Sequence, residues 1–478
     1  MILADKTPGS VRHVLSVALP LVLSSLGHAL NLFTDRVMLT RFSESTMAAA
    51  FPAGLTAFAI SCFFIGIVGY SGSFVAQYEG AKMYHRVGPT VWQGIFLALT
   101  GGVFMLLLAI FAAPALFRWF GHAEHLQVLE VKYFRVVGSF TVIPLLAAAF
   151  AAFWGGRAKT LMVMIVNLTV VMCNIPFNYL LIYGHTFELP LVGKVVIPQL
   201  GIVGAGIGTV LAGSVGLMIY LFSFFSGSMR HKYHTAGNIF DWELFRRIVR
   251  YGLPNGVQMF LDLTAFNAFV VVLGKVGPDV LAASGIAFSA NALAFTPMVG
   301  LGQSVSILSG QAVGARDLPL AERSVRSALL LVIIYTGTMG ICFTLFPQVI
   351  FMMFGVAGGT VAVLARKMLW FITGYLIFDG LMLVYSNAIK GAGDTRFAMW
   401  TGVVLAWLLY ALPCAAAYWF CHSPWMMAHW GEAAAKSICV WTMWSICVIY
   451  IVATGVVFYW RYHTGKWKKM RVIEDKCE

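Results

Sequence analysis

The sequence predicts an all-α polytopic membrane protein with about twelve transmembrane helices, and three observations predict it. Of 478 residues, 60% are hydrophobic and only 11% are charged, whereas a soluble domain is about a quarter charged. The mean hydropathy is +0.84. The apolar residues are gathered into long runs, each long enough to cross a hydrocarbon core of about 20 helical residues. Together these exclude a soluble enzyme, a disordered scaffold and a secreted disulfide module.

The runs are bounded by charge or by Gly and Pro clusters. They lie near 14–38, 48–77, 90–115, 128–154, 160–184 and 200–226, then near 249–272, 280–312, 322–355, 360–389, 397–421 and 437–460. An even number of spans puts both termini on one side. If that side is cytoplasmic, 22 of the 32 Lys and Arg residues, from Lys6 to Lys476, lie on it. The positive-inside rule selects this orientation. The net charge of +13 is then a topological signal and gives no case for nucleic acid. The N-terminus, MILADKTPGSVRH, lacks the apolar core and cleavage site of a removable signal. Seven of the eight cysteines lie in apolar stretches and none forms a CxxC pair. Neither a transition-metal site nor a disulfide framework is expected.

The two halves resemble each other. A shift of 234 positions lays Pro20 on Pro254, Gly66 on Gly300, Gln77 on Gln311, Gly80 on Gly314 and Ala81 on Ala315. A shift of 235 lays Gly156 on Gly391 and Thr160 on Thr395. Six spans per half makes this a parallel repeat. The expected architecture is two pseudo-symmetric six-helix lobes around a central cavity. Residues 1–226 form the N-terminal lobe, 227–249 a cytoplasmic connector, 250–462 the C-terminal lobe and 463–478 a basic cytoplasmic tail. FDWELFRRIVRYG, from Phe240 to Gly252, has the spacing of a short helix lying in the membrane interface.

Sixteen of the nineteen acidic residues lie in loops, at span ends or in the tails. The other three fall inside spans: Asp35 in the first, Asp262 in the seventh and Asp379 in the tenth. A mid-membrane carboxylate costs roughly 2.5–3.5 kcal/mol even on the lenient insertion scale. No Lys or Arg sits at mid-span to neutralise them, so they must be hydrated, protonated or bound to an exogenous cation. Ion-coupled transport uses the last two. Asp35 is followed by Arg36, and spacing alone allows it to be an interfacial acid paired with that neighbour. Tyr375 precedes Asp379 by four residues, so the two share a helix face. Asn174 and Asn178 repeat this spacing in the fifth span, where they build either an oxygen-rich pocket suited to Na⁺ or a helix–helix hydrogen bond. Pro20 frees a carbonyl and lets the first span bend. His28, the only histidine deep in a span, reads as a packing residue.

The order Pro20…Asp35, the QxxGA ends at Gln77 and Gln311, GLPNGVQMFLDLTAFNAF at 252–269 and GYLIFDGLMLVYSNAIKGAGDT at 374–395 resemble the multidrug and toxic compound extrusion (MATE) transporters. The likeness covers almost the whole chain and is greatest to the NorM-type bacterial branch. It implies a twelve-helix inner-membrane antiporter, not an enzyme, with no cofactor beyond a coupling ion. Such carriers are expected to act as monomers, exporting cationic amphipathic drugs in exchange for Na⁺ or H⁺. Carried over by position, Asp35, Asn174 and Asn178 match the branch's N-lobe cation site, with Thr209 completing it. Asp262, Tyr375 and Asp379 match its acidic C-lobe site, and Phe266 is a candidate substrate contact. One departure stands out: the branch often carries Glu where this chain has the shorter Asp262, which weakens the case for both C-lobe acids ligating one ion. The rival reading is a lipid-linked-oligosaccharide flippase of the same superfamily, which needs basic residues in its cavity for a pyrophosphate. A membrane-embedded enzyme finds no HExxH and no GxSxG within a span.

Overall fold

The structure is a computed structural model that describes residues 7–189, 193–237, 240–353 and 358–474. Lys6, Lys476 and Cys477 lie outside the described residues. Among the described residues, twelve helices are long and apolar enough to span a membrane. They are α1 (Val11–Phe42), α2 (Ser45–Gly80), α3 (Tyr84–Phe120), α4 (Glu124–Gly156), α5 (Thr160–Tyr183) and α6 (Gly201–Phe224). The second six are α7 (Trp242–Val276), α8 (Pro278–Gly314), α9 (Leu318–Leu345), α10 (Gly359–Ala392), α11 (Thr395–Cys421) and α12 (Pro424–His463). Every predicted run falls on one of them, and the chain is a multi-pass membrane protein.

Local chemistry sets several ends. Asp241 Oδ1 accepts the Leu244 N–H at 3.0 Å and Asp317 Oδ1 accepts that of Leu320 at 3.0 Å. These side-chain caps start α7 and α9. The first cap also corrects the interfacial-helix expectation: Trp242–Gly252 are simply the opening turns of α7, which runs on through Pro254. The ninth span is shorter than expected. Pro347 bars the helical conformation from the residue before it, Phe346 sits at φ −123°, ψ 44°, and a separate short helix, Pro347–Met353, follows. An antiparallel pair of strands between α5 and α6 was not expected at all. Its strands β1 (His185–Leu189) and β2 (Gly193–Ile197) pair antiparallel with His185 opposite Ile197, and Lys194 meets Glu188 across them at 3.0 Å. α3 and α11 each contain a π-helical turn, Leu108–Ala112 and Ala406–Ala411. Each lies just before a proline, Pro114 or Pro413, whose missing N–H breaks the ordinary ladder.

The repeat is visible in the backbone. α2 and α8 end alike: Ala81 N–H donates to Gln77 O and Ala315 N–H to Gln311 O, both at 2.9 Å. The next residues, Lys82 and Arg316, take φ of 59° and 60°. Gly156 lies so close to Gly72 that a methyl group would fall 2.6 Å from its carbonyl oxygen. Gly391 meets the carbonyl of Ser306 in the same way, and 72 and 306 are again 234 apart.

The chain divides into two compact units. Unit 1 holds the described residues up to Val22 and Val257–Arg471; unit 2 holds Leu23–Gly256 and the described residues from Val472. This division differs from lobes drawn in chain order, because α1 and α7 each contribute their opening turns to one unit and the rest to the other. The two break points, after Val22 and after Gly256, are themselves one repeat apart. Pro20 and Pro254 each lie two residues before one. In unit 1, a methyl group on Gly300 would fall 2.7 Å from the Val22 nitrogen; in unit 2, one on Gly256 would collide with the Phe63 carbonyl.

The described part of the tail is packed. Val472 and Ile473 are buried in the unit 2 core with Leu244 and Ile248. Val472 N–H donates to Gln77 Oε1 at 2.9 Å. Glu474 accepts from the Tyr78 hydroxyl at 2.8 Å and from Arg247 at 2.5 Å, with Arg86 Nε 3.1 Å away. Burial alone would raise the Glu474 carboxyl, but hydrogen bonds from its own backbone, Tyr78 and Arg247 outweigh it and hold the group below the usual glutamate range.

Candidate cation-binding sites

In unit 2, three helices converge on Asp35. Asn178 Nδ2 donates to Asp35 Oδ1 at 2.6 Å and to Asn174 Oδ1 at 2.9 Å. Asn174 Nδ2 in turn reaches Thr209 Oγ1 at 3.3 Å, and the Thr209 hydroxyl donates to Ala205 O at 3.0 Å. The structure thus joins all four residues expected of this site into one chain, Asp35–Asn178–Asn174–Thr209. Both asparagines are fully buried, and Asn178 Oδ1 takes no hydrogen bond. The arrangement offers a carboxylate, a carboxamide oxygen and a hydroxyl, the hard oxygen donors that Na⁺ prefers. Arg36 points elsewhere: its guanidinium lies 5.1 Å from the centre of the Phe51 ring. Tyr133 of α4, which sequence reasoning missed, lies within electrostatic reach of Asp35.

In unit 1, Asp379 is 5% and Tyr375 1% exposed on α10. The four-residue spacing puts them together, and the Tyr375 phenol feels the Asp379 charge. No described residue donates a hydrogen bond to Asp379. Asp262, on α7, has a buried Oδ1 without a hydrogen-bond partner, and so has Gln258 Oε1 one turn earlier. The expectation that no basic side chain reaches these acids fails for Asp262. Lys390, in the last turn of α10, lies within its electrostatic reach, because a long lysine stem can extend along apolar surface.

Tyr450 of α12 interacts electrostatically with both Asp262 and Asp379; sequence spacing held no signal for it. Its ring stacks on Tyr410 at 5.0 Å and 12°, and Tyr410 stacks on Phe269 at 4.8 Å. The π-turn in α11 presents Tyr410. Phe266, one turn beyond Asp262, is 39% exposed and meets Phe288 edge to face at 5.3 Å. His28 makes no hydrogen bond to the described residues.

Twelve candidate membrane-spanning helices among the described residues, an internal repeat and carboxylates placed within those helices define a polytopic membrane protein. The family model MatE matches residues 20–180 and 254–427, and the chain belongs to this family, the MATE transporters. It is 23% identical to the probable multidrug resistance protein NorM of Mannheimia succiniciproducens, over 95% of this chain and 93% of that one. It is 25% identical to the multidrug resistance protein NorM of Vibrio cholerae, over 83% of this chain and 85% of that one. A crystal structure of MATE in the straight conformation shares the fold, with a TM-score of 0.81 at 18% identity, covering 98% of this chain and 99% of that one.

Proposed function

We propose that the protein is a cation-coupled antiporter that exports organic, mainly cationic amphipathic drugs and toxins by alternating access. The coupling ion is Na⁺ or H⁺. The protein works as a monomer in the bacterial inner membrane with both termini cytoplasmic. The observation that carries the reading is Asp379, a buried carboxylate inside a spanning helix with no hydrogen bond and no basic side chain beside it among the described residues. Such a group stays charged only when a cation arrives. A lipophilic cation and a small ion that compete for it make loading of one favour release of the other, provided the two facing states differ in affinity. The oxygen donors around Asp35 favour Na⁺ as the small ion. The multidrug resistance names of the NorM relatives support drug export. The flippase reading needs an uncompensated base, and Lys390 faces an acid instead.

The test is transport in proteoliposomes: a fluorescent organic cation followed under an imposed Na⁺ gradient and then a pH gradient. Asp35→Asn, Asp262→Asn and Asp379→Asn variants run alongside. Gradient-driven movement lost in Asp379→Asn supports the reading, and the effective gradient names the ion. Cation movement that neither gradient drives overturns it.

A further inference from the structure

In unit 2, a short helix, Gly227–Tyr233, follows α6 and carries Arg230, His231 and Lys232 in its last turn. The backbone that leaves it is locked in place. His234 takes the left-handed conformation, φ 53° and ψ 44°. Thr235 is buried; its hydroxyl donates to Phe224 O at 2.9 Å, and its carbonyl accepts from Trp92 Nε1 of α3 at 3.0 Å. A methyl group on Gly88 would collide with the carbonyl oxygens of Tyr233 and His234, so glycine lets this turn sit against the start of α3. The turn and α3 leave a cleft of about 390 Å³ lined by Pro89, Arg230, His231, His234, Ala236 and Gly237.

The charges around the cleft do not cancel. The Arg157 guanidinium stacks 4.0 Å from the centre of the Tyr233 ring, and the Lys232 ammonium lies 4.5 Å from that of Tyr84. Asp241 is taken by Arg86 at 3.2 Å and Glu79 by the Tyr233 hydroxyl at 3.3 Å. Among the described residues, Arg230, His231 and His234 have no carboxylate within ion-pair distance. His85 adds a further basic ring, 6.3 Å from that of His234. Trp92, which holds the turn, also begins an aromatic stripe. Its ring meets Phe96 at 6.2 Å, Phe96 meets Phe240 at 5.3 Å, and Phe240 meets Trp242 at 6.1 Å. Phe240 is 48% and Trp242 65% exposed, as aromatic side chains at a membrane interface are.

We propose that this cleft binds the phosphate headgroup of an anionic phospholipid, whose acyl chains lie along the stripe. Arg230 offers phosphate oxygens a fork of N–H donors, and the imidazoles of His231 and His234 add their own. Basic pockets beside membrane helices recognise lipid phosphates in this way. A free phosphate ion has the same head chemistry and no chains for the stripe. The site is remote in chemistry from the acids of the antiporter reading and does not rest on it.

Native mass spectrometry of the purified full-length protein, titrated with phosphatidylglycerol and separately with phosphatidylcholine, tests the assignment. Phosphatidylglycerol is expected to bind more tightly. Arg230→Gln should weaken it about fivefold, and Arg230→Gln/His234→Asn should weaken it further, since asparagine tolerates the left-handed backbone at 234. Lys232→Gln removes the same charge from the neighbouring ring contact and should leave affinity unchanged. Inorganic phosphate should not displace the lipid. Equal weakening by Lys232→Gln overturns the proposal, because net charge alone would then attract the lipid. Unchanged binding in Arg230→Gln, or phosphatidylcholine bound as tightly as phosphatidylglycerol, overturns it too. Displacement by inorganic phosphate would assign the cleft to the free ion and overturn the lipid.

Discussion

Gly208 lies directly beneath the carboxamide of Asn178: a methyl group at 208 would land on Asn178 Oδ1 and 3.1 Å from its backbone nitrogen. The absence of a side chain on α6 therefore lets α5 present Asn178 to Asp35. Two side chains of the candidate site depend on a residue with none.

Gly208→Ala is expected to cost about 1–3 kcal/mol of stability, the usual range for overpacking. It should also push Asn178 off Asp35 and reduce ion-driven transport. Gly337→Ala is the control, because nothing lies within 4 Å of a methyl group there. Thermal unfolding and vesicle transport of both variants check this. Equal behaviour of the two would show that Asn178 moves aside without consequence.

The two uncompensated acids should part company when neutralised. Asp35 receives a charge-assisted hydrogen bond from Asn178 at 2.6 Å, so Asp35→Asn is expected to lower stability by about 1–2 kcal/mol. Asp379 has no such donor among the described residues, and its charge is buried at a net cost. Asp379→Asn should therefore abolish transport while leaving the melting temperature unchanged or higher. A clear fall in melting temperature for Asp379→Asn would mean that an unseen partner holds the carboxylate.

The fold was legible because membrane helices write themselves in hydropathy, and the repeat because glycine and proline occupy positions that only they fill. Asn174 and Asn178 stand out because an i, i+4 pair of asparagines is rare in an apolar run, whereas Thr209 joins them and Asp35 only through the resemblance to the family. The strand pair His185–Leu189 and Gly193–Ile197 stayed hidden because two five-residue stretches of mixed polarity between two spans look like any loop. Tyr450 and Lys390 were hidden for a different reason. Each lies within electrostatic reach of an acid on another helix, and a lysine at a helix end reads as a topological anchor until its reach is seen. The opening turns of α7 misled in the opposite direction: their amphipathic spacing is real, but no breaker separates them from the span.

The repeat makes a symmetric prediction. Gly156→Ala and Gly391→Ala each drive a methyl group into a backbone carbonyl, that of Gly72 or Ser306. Backbone cannot step aside as a flexible side chain can, and both helices lie in packed cores. Each variant is expected to lose most of its folded yield, measured as the monodisperse fraction after extraction. If only one variant does so, the equivalence of the two contacts is superficial.

The tail gives the clearest pH signature outside the spans. The Glu474 carboxyl is held below its ordinary value of 4.5, so the unfolded tail binds protons before the docked tail does. The stabilisation is complete above that ordinary value and is lost as pH falls through the lower, docked one. The Val472 amide, which donates to Gln77 Oε1, should exchange slowly at neutral pH and faster below that window once the intrinsic pH dependence of exchange is removed. Glu474→Gln keeps the shape, removes the charge facing Arg86 and Arg247, and is expected to abolish the acid-induced change. It should lower stability by about 1 kcal/mol, because the site is partly open to solvent. Val472 protection with the same pH profile in both proteins would show that Val472 and Ile473 anchor the tail by burial alone, with Glu474 a bystander.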